Sequence, residues 1–252
     1  MSKKIVVANW KMNPSSEKEA EKLFVATNRS ASRLPKIEVI VCAPFIYLSR
    51  LKRFAKKIKL GAQNSFYEEN GAYTGEISAE MIYNAGARYV ILGHSERRAL
   101  GETNEDINKK IKSALSAGLI PILCVGEKTR DENHEYLNFI KIQVTEGLKG
   151  VSRTSIPKVI IAYEPIWAIG KNAIREATPA EFLEMRIFIK KILSGMFGVK
   201  IKISRIIYGG SVNEKNIGDF IKLGEADGFL VGRASLDPEK FGKIINIAEN
   251  VS

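Results

Sequence analysis

Eight short apolar runs, each followed by a stretch of helical character, constrain this chain more than any other feature. The runs fall at 5–9, 37–42, 59–63, 89–93, 120–125, 159–163, 205–208 and 227–231. Runs of this length read as strands covered on both faces. The helical stretches fall near 16–32, 45–57, 78–85, 104–117, 131–148, 179–196, 213–222 and 237–249. Capping residues support several of them: Ser15 or Ser16, Thr103 or Asn104, Thr178 before Pro179, Asn213, and Asp237 before Pro238. Strands that alternate with helices in one sense predict a parallel sheet with right-handed crossovers. Eight such units in 252 residues predict a closed eight-stranded parallel (β/α)8 barrel of α/β class, with residues 1–252 as one domain. The alternative is an open doubly wound sheet. It would carry a glycine-rich turn after the first strand, and Asn9-Trp10-Lys11-Met12-Asn13 has no glycine.

Charge and cysteine usage narrow the function classes. The net charge is +11, from 39 Lys and Arg against 28 Asp and Glu, which favours an anionic partner. The densest basic clusters, 50–59 and 190–202, read as solvated faces, and no nucleic-acid motif accompanies them. No run reaches the roughly 18 apolar residues that span a bilayer, so no membrane partner is expected. The apolar run near the N-terminus is too short for a secretory signal and is read as the first strand. Cys42 and Cys124 each lie inside a strand and read as small buried residues, which places the chain in a reducing cytoplasm.

In a barrel of parallel strands, chemistry gathers where strands end. Glu164 stands at the end of the sixth strand, and Pro165 biases it toward extended backbone. The apolar, glycine-containing stretch 166–170 can fold over it. A carboxylate taken out of water under such a cover suits proton abstraction, although a structural ion pair reads equally well from this stretch alone. His94 follows the fourth strand where a helical turn should open. A helix N-terminus disfavours the imidazolium, so a neutral ring that donates a hydrogen bond is expected, against a core histidine as the bland reading. His134, in an acidic helix start, reads as a surface residue. Lys11 follows the first strand and reads either as a surface lysine or as a cation at the mouth of the barrel. Gly209-Gly210-Ser211 and Gly232-Arg233 end the last two strands. Backbone N–H groups in such turns suit a phosphate, and tight turns are the alternative. The stretch 64–77 is too long for a bare connection. With Phe66, Tyr67 and Tyr73 it reads as an interface loop, which predicts a symmetric dimer.

Together these segments resemble triosephosphate isomerases from end to end. The resemblance is carried by N-W-K-M-N (9–13), G-A-Q-N (61–64), E-N-G-A-Y-T-G-E-I-S (69–78), I-L-G-H-S-E-R-R (91–98), C-V-G-E (124–127), A-Y-E-P-I-W-A-I-G (162–170), Y-G-G-S-V (208–212) and G-F-L-V-G (228–232). It implies interconversion of dihydroxyacetone phosphate and glyceraldehyde 3-phosphate through an enediolate, in glycolysis and gluconeogenesis. The family's roles fall on Glu164 as base, neutral His94 as hydrogen-bond donor, and Lys11 as positive charge with Asn9 beside it. Gly170, Ser211, Gly232 and Arg233 are expected to hold the phosphate through backbone N–H groups. Glu96, Glu127 and Tyr208 stand behind, Glu96 organising Lys11. No metal or organic cofactor is implied. A homodimer is implied through the loop around Thr74, reaching the partner near Asn9 and Lys11.

Two positions depart from the family pattern. After Gly170 the lid runs Lys171-Asn172-Ala173-Ile174-Arg175-Glu176-Ala177, two residues longer than the usual lid and without its second glycine. This bears on how Tyr208 and Ser211 latch it. Arg233 replaces the second glycine of the last phosphate loop, and it would be strained if that position required a positive φ. Two other readings stay open from sequence: a Schiff-base aldolase that uses Lys11, and a non-catalytic barrel.

Overall fold

The computed structural model describes residues 3–170, 173–201 and 205–251. Lys171 and Asn172 of the longer lid, and Lys202 of the second basic cluster, lie outside the described residues. The strands are β1 Lys4–Asn9, β2 Ile37–Cys42, β3 Lys59–Ala62, β4 Tyr89–Leu92, β5 Ile120–Val125, β6 Ile160–Tyr163, β7 Ile206–Tyr208 and β8 Gly228–Val231. They pair in sequence order, all parallel, and β8 pairs with β1, so the sheet closes into a barrel. The helices are α1 Glu17–Ala31, α2 Phe45–Leu51, α3 Ala79–Asn84, α4 Ser95–Ala99, α5 Asn104–Ser116, α6 Glu135–Gly147, α7 Pro179–Phe197, α8 Ile217–Lys222 and α9 Pro238–Val251.

The strands read as unbroken apolar runs because both faces are buried. Along β1, Ile5 and Val7 point into the barrel and join Ile40, Ile91, Ile122, Ile207 and Leu230. Val6 and Ala8 point outward into the layer between barrel and helices. The lumen is therefore a packed core, and the open space lies at the strand ends. Cys42 and Cys124 are free thiols within that lumen.

Capping decides most helix starts. Ser16, Thr103 and Thr178 accept the N3 backbone N–H at α1, α5 and α7, and Asp106 and Glu181 complete capping boxes at the last two. Two helix starts and one helix end differ from expectation because polar side chains and 3-10 geometry consume backbone groups locally, and one short helix is additional. Asn213 does not cap α8: its Oδ1 accepts from the Lys215 and Asn216 N–H groups, which makes a turn and delays the helix to Ile217. Asp131 accepts from the Glu135 and Tyr136 N–H groups, so α6 begins four residues later than read. Helix α2 ends at Leu51 and tightens into a 3-10 turn, Lys52–Phe54. The turn Ser95–Ala99 becomes a helix of its own, α4. His134 is exposed at the start of α6, as its acidic setting suggested.

Candidate active site

Glu164 continues the line of β6 for one residue: its N–H donates to the Val125 carbonyl at 2.8 Å. Two glycines make room for it. A Cβ on Gly126 would stand 1.7 Å from the Glu164 carbonyl oxygen, and one on Gly209 would stand 2.8 Å from its Cγ. The side chain is buried. Its Oε2 accepts from the Ser95 N–H at 3.3 Å, and its Oε1 lies 3.3 Å from His94 Nε2. Cys124 also meets this carboxylate. Burial, with the charge of Glu164 adding, keeps that thiol protonated well above its ordinary range.

His94 is the N-cap of α4, and its Nδ1 accepts the Glu96 backbone N–H at 3.2 Å. A ring nitrogen that accepts carries no proton, so the imidazole is neutral with its N–H on Nε2, facing Glu164. Arg98 fixes the turn that presents this ring. It donates to the carbonyls of Gly93 at 2.8 Å and Cys124 at 3.2 Å, and to Asn104 Oδ1 at 2.6 Å.

Lys11 occupies left-handed backbone, φ 52°. Asn9 Oδ1 accepts its N–H at 3.0 Å, and Gln63 Nε2 donates to its carbonyl at 2.9 Å while also holding the Cys42 carbonyl. The ends of β1, β2 and β3 are thus tied together by one amide. Lys11 Nζ pairs with the exposed carboxylate of Glu96.

Across the mouth, Ser211 Oγ donates to the Ala168 carbonyl at 2.8 Å, which joins the turn after β7 to the segment after β6. The Tyr208 hydroxyl is buried behind this turn. Burial pushes its phenol well up, with Glu176 and Glu181 adding. Arg233 opens a 3-10 turn, Arg233–Leu236, and is not among the residues with positive φ, so its replacement of glycine carries no backbone strain. Its side chain is exposed, with no ion pair among the described residues.

Behind Glu164, Glu127 is buried and its Oε1 accepts from Tyr163 Oη at 2.7 Å and Trp167 Nε1 at 2.8 Å. Asn9, Lys11, His94, Glu96 and Glu164 line one cavity of about 820 Å3, together with Gly170, Ser211, Gly232 and Arg233. Glu127 and Tyr208 do not line it and act only through their neighbours. Ser95, Gln63 and Arg98 were not singled out from sequence, and Cys124 was read there only as a small buried residue. Their contacts here run through backbone groups or the barrel interior, which leave no spacing signal. Among the described residues no group of three His, Cys, Asp or Glu is arranged to hold a metal.

A family model described as triosephosphate isomerase matches residues 4–248. A triosephosphate isomerase of Dictyoglomus thermophilum is 45% identical over 250 residues, covering 97% of this chain and 99% of that protein. One from Dehalococcoides mccartyi is 46% identical over 252 residues and covers 98% of each. The crystal structure of triosephosphate isomerase from Bartonella henselae superposes with a TM-score of 0.84 at 34% identity, covering 97% of this chain and 98% of that one.

Proposed function

The chain belongs to the triosephosphate isomerase family, and from that premise we propose how its own side chains carry the reaction. The activity is the interconversion of dihydroxyacetone phosphate and glyceraldehyde 3-phosphate, a step of glycolysis. One barrel domain carries it. Glu164 takes the proton from the carbon beside the carbonyl and returns it to the neighbouring carbon. His94 Nε2–H donates to the oxygen that gains charge in the enediolate, and Lys11 adds positive charge beside it. The turns at Gly170, Ser211, Gly232 and Arg233 offer N–H groups to the phosphate. Asn9 holds Lys11 by its backbone, Glu96 pairs its amine, and Glu127 and Tyr208 support the segment over Glu164.

The observation that carries this reading is the placing of His94, its Nδ1 taking the Glu96 N–H and its Nε2 3.3 Å from the carboxylate of Glu164, in a cavity that also opens on two glycine turns. His94→Gln removes the ring donor and keeps a polar side chain. It should lower kcat by about 10²–10³ with KM nearly unchanged, as for loss of one donor to developing charge. Steady-state kinetics check this, and an unaffected kcat would remove His94 from the chemistry.

A second copy of the chain fits the loops after β1, β2 and β3. Met12, Ile46, Tyr73 and Met81 are exposed there, with Met12 94% accessible. Apolar side chains concentrated at neighbouring strand ends suit a protein interface. Phe66 stacks on Tyr67 with ring centroids 4.3 Å apart and meets Tyr73 at 4.8 Å, giving the protruding loop an apolar base. Thr74→Arg, at the exposed tip, should turn a dimer into a monomer and lower kcat at least about tenfold through the loosened Lys11 loop. Sedimentation velocity with assays on the same samples tests it, and a variant that stays dimeric and fully active would count against this surface. The cytoplasm is where we place the reaction, in keeping with free thiols. Recovery in another cell fraction would contradict that.

A further inference from the structure

Trp167 lies three residues beyond Glu164, on the apolar segment that follows it, and its indole is buried. Its edge is fixed by the 2.8 Å bond from Nε1–H to Glu127 Oε1. Its faces meet two guanidinium groups. Arg175 Cζ lies 4.5 Å from the ring centroid, and Arg130 Cζ lies 5.8 Å away. Arg175 comes from the stretch leading into α7, where this chain departs from the family pattern. Its two terminal nitrogens fork onto the two oxygens of Glu181, at 3.0 and 2.5 Å. Glu181 is itself immobilised, because its Oε2 accepts from Thr178 N–H and Oγ1–H and closes the capping box of α7. That fork is strong enough to hold the Glu181 carboxyl down to about 2.

The arrangement therefore runs from the start of a long helix, through Glu181 and the Arg175 plane, to the Trp167 face. From the Trp167 edge it continues to Glu127 and Tyr163, the residue before Glu164. A planar fork grips a carboxylate and stacks on an aromatic ring at once, which a lysine cannot do. We propose that Arg175 is a positioning residue for the isomerisation: it braces Trp167 against Glu127 and so fixes how the segment after Glu164 sits over the bound substrate. This rests on Glu164 being the base. Arg130 stands on the ring too, but it is also held by Glu184 at 3.0 Å and serves the loop after β5. Arg130 also reaches the start of α7, donating to the Glu181 carbonyl at 3.4 Å, but Arg175 stands closer to the ring and of the two only Arg175 forks onto both oxygens of the Glu181 carboxylate.

The test pairs kinetics with fluorine NMR of protein labelled with 5-fluorotryptophan, which contains two tryptophans, Trp10 and Trp167. Arg175→Met should shift and broaden the Trp167 signal and leave the Trp10 signal in place. It should also lower kcat about tenfold with KM changed less than about twofold, since misplacement near the base costs rate rather than binding. The share of substrate that loses phosphate instead of isomerising should rise several-fold, because the enediolate is less well enclosed. Arg175→Lys should recover thermal stability without recovering kcat. Unchanged kcat with an unmoved Trp167 signal in Arg175→Met overturns the proposal. So does collapse of both signals together, which would make Arg175 a residue of the whole fold. Full recovery of kcat by lysine also overturns it, since the fork would then be dispensable. Failure of the Glu164 reading would show separately, as wild-type rates in Glu164 variants, while the fluorine signals still report on Arg175.

Discussion

Glu164→Gln should lower kcat by about 10²–10⁴ with KM little changed, the range expected when a positioned general base is removed. The substitution is nearly isosteric, so the cavity keeps its shape. The amide oxygen can still accept the Ser95 N–H that now serves Oε2 at 3.3 Å. Gly126 and Gly209, which clear space for the backbone and Cγ of this residue, are untouched. What is lost is the only feature an amide cannot supply, the capacity to accept a proton from carbon. Thermal unfolding should therefore move little while turnover collapses. Glu164→Asp tests distance rather than basicity. Withdrawing the carboxylate by one methylene, about 1 Å, should cost roughly a hundredfold. Steady-state rates and melting curves on the three proteins separate these effects.

Lys11→Gly should move activity and stability in different directions. Left-handed backbone costs a non-glycine residue on the order of 1–3 kcal/mol, and glycine adopts it freely. Lys11 sits there at φ 52°. Against that relief stands the greater freedom of glycine in the unfolded chain, roughly 0.5–1 kcal/mol. The pair with Glu96 adds little, because both side chains are partly exposed, 34% and 59%. The melting temperature should hold or rise. Catalysis should fall by about 10²–10³ in kcat/KM if, as proposed, Lys11 supplies the positive charge that faces the enediolate. A parallel fall in stability and rate would mean that Lys11 is held for the fold rather than for the substrate. The strained backbone at Lys11 and the Gln63 amide that grips its carbonyl are what such a trade predicts: a costly conformation kept in place by its neighbours.

The barrel was legible because its grammar is simple. Strands covered on both faces read as solid apolar runs, and eight of them alternating with helices leave few topologies. Helix ends were less legible where side chains imitate backbone, as with Asn213 and Asp131, whose carboxamide and carboxylate oxygens take N–H groups that a helix would otherwise use. Glu164, His94 and Lys11 could be read as residues at strand ends, although each had a bland alternative until the structure brought them around one cavity. The tautomer of His94 could not be read, because it depends on which nitrogen the Glu96 N–H reaches. Nor could the brace on Trp167. Positions 127, 130, 167, 175 and 181 share no period, and only the packing of the β5 and β6 ends against α7 assembles them.

The most direct test of the central claim is isomerisation of glyceraldehyde 3-phosphate in D2O, followed by proton NMR of the products. If Glu164 carries the proton between adjacent carbons, the wild-type protein forms dihydroxyacetone phosphate in which part of the new C–H bond is C–D, because the carboxyl exchanges with solvent during the lifetime of the enediolate. Folded Glu164→Gln then forms neither product nor label at a comparable rate. Rapid isomerisation by the glutamine variant, with the same labelling, would show that another group moves the proton and would contradict the account.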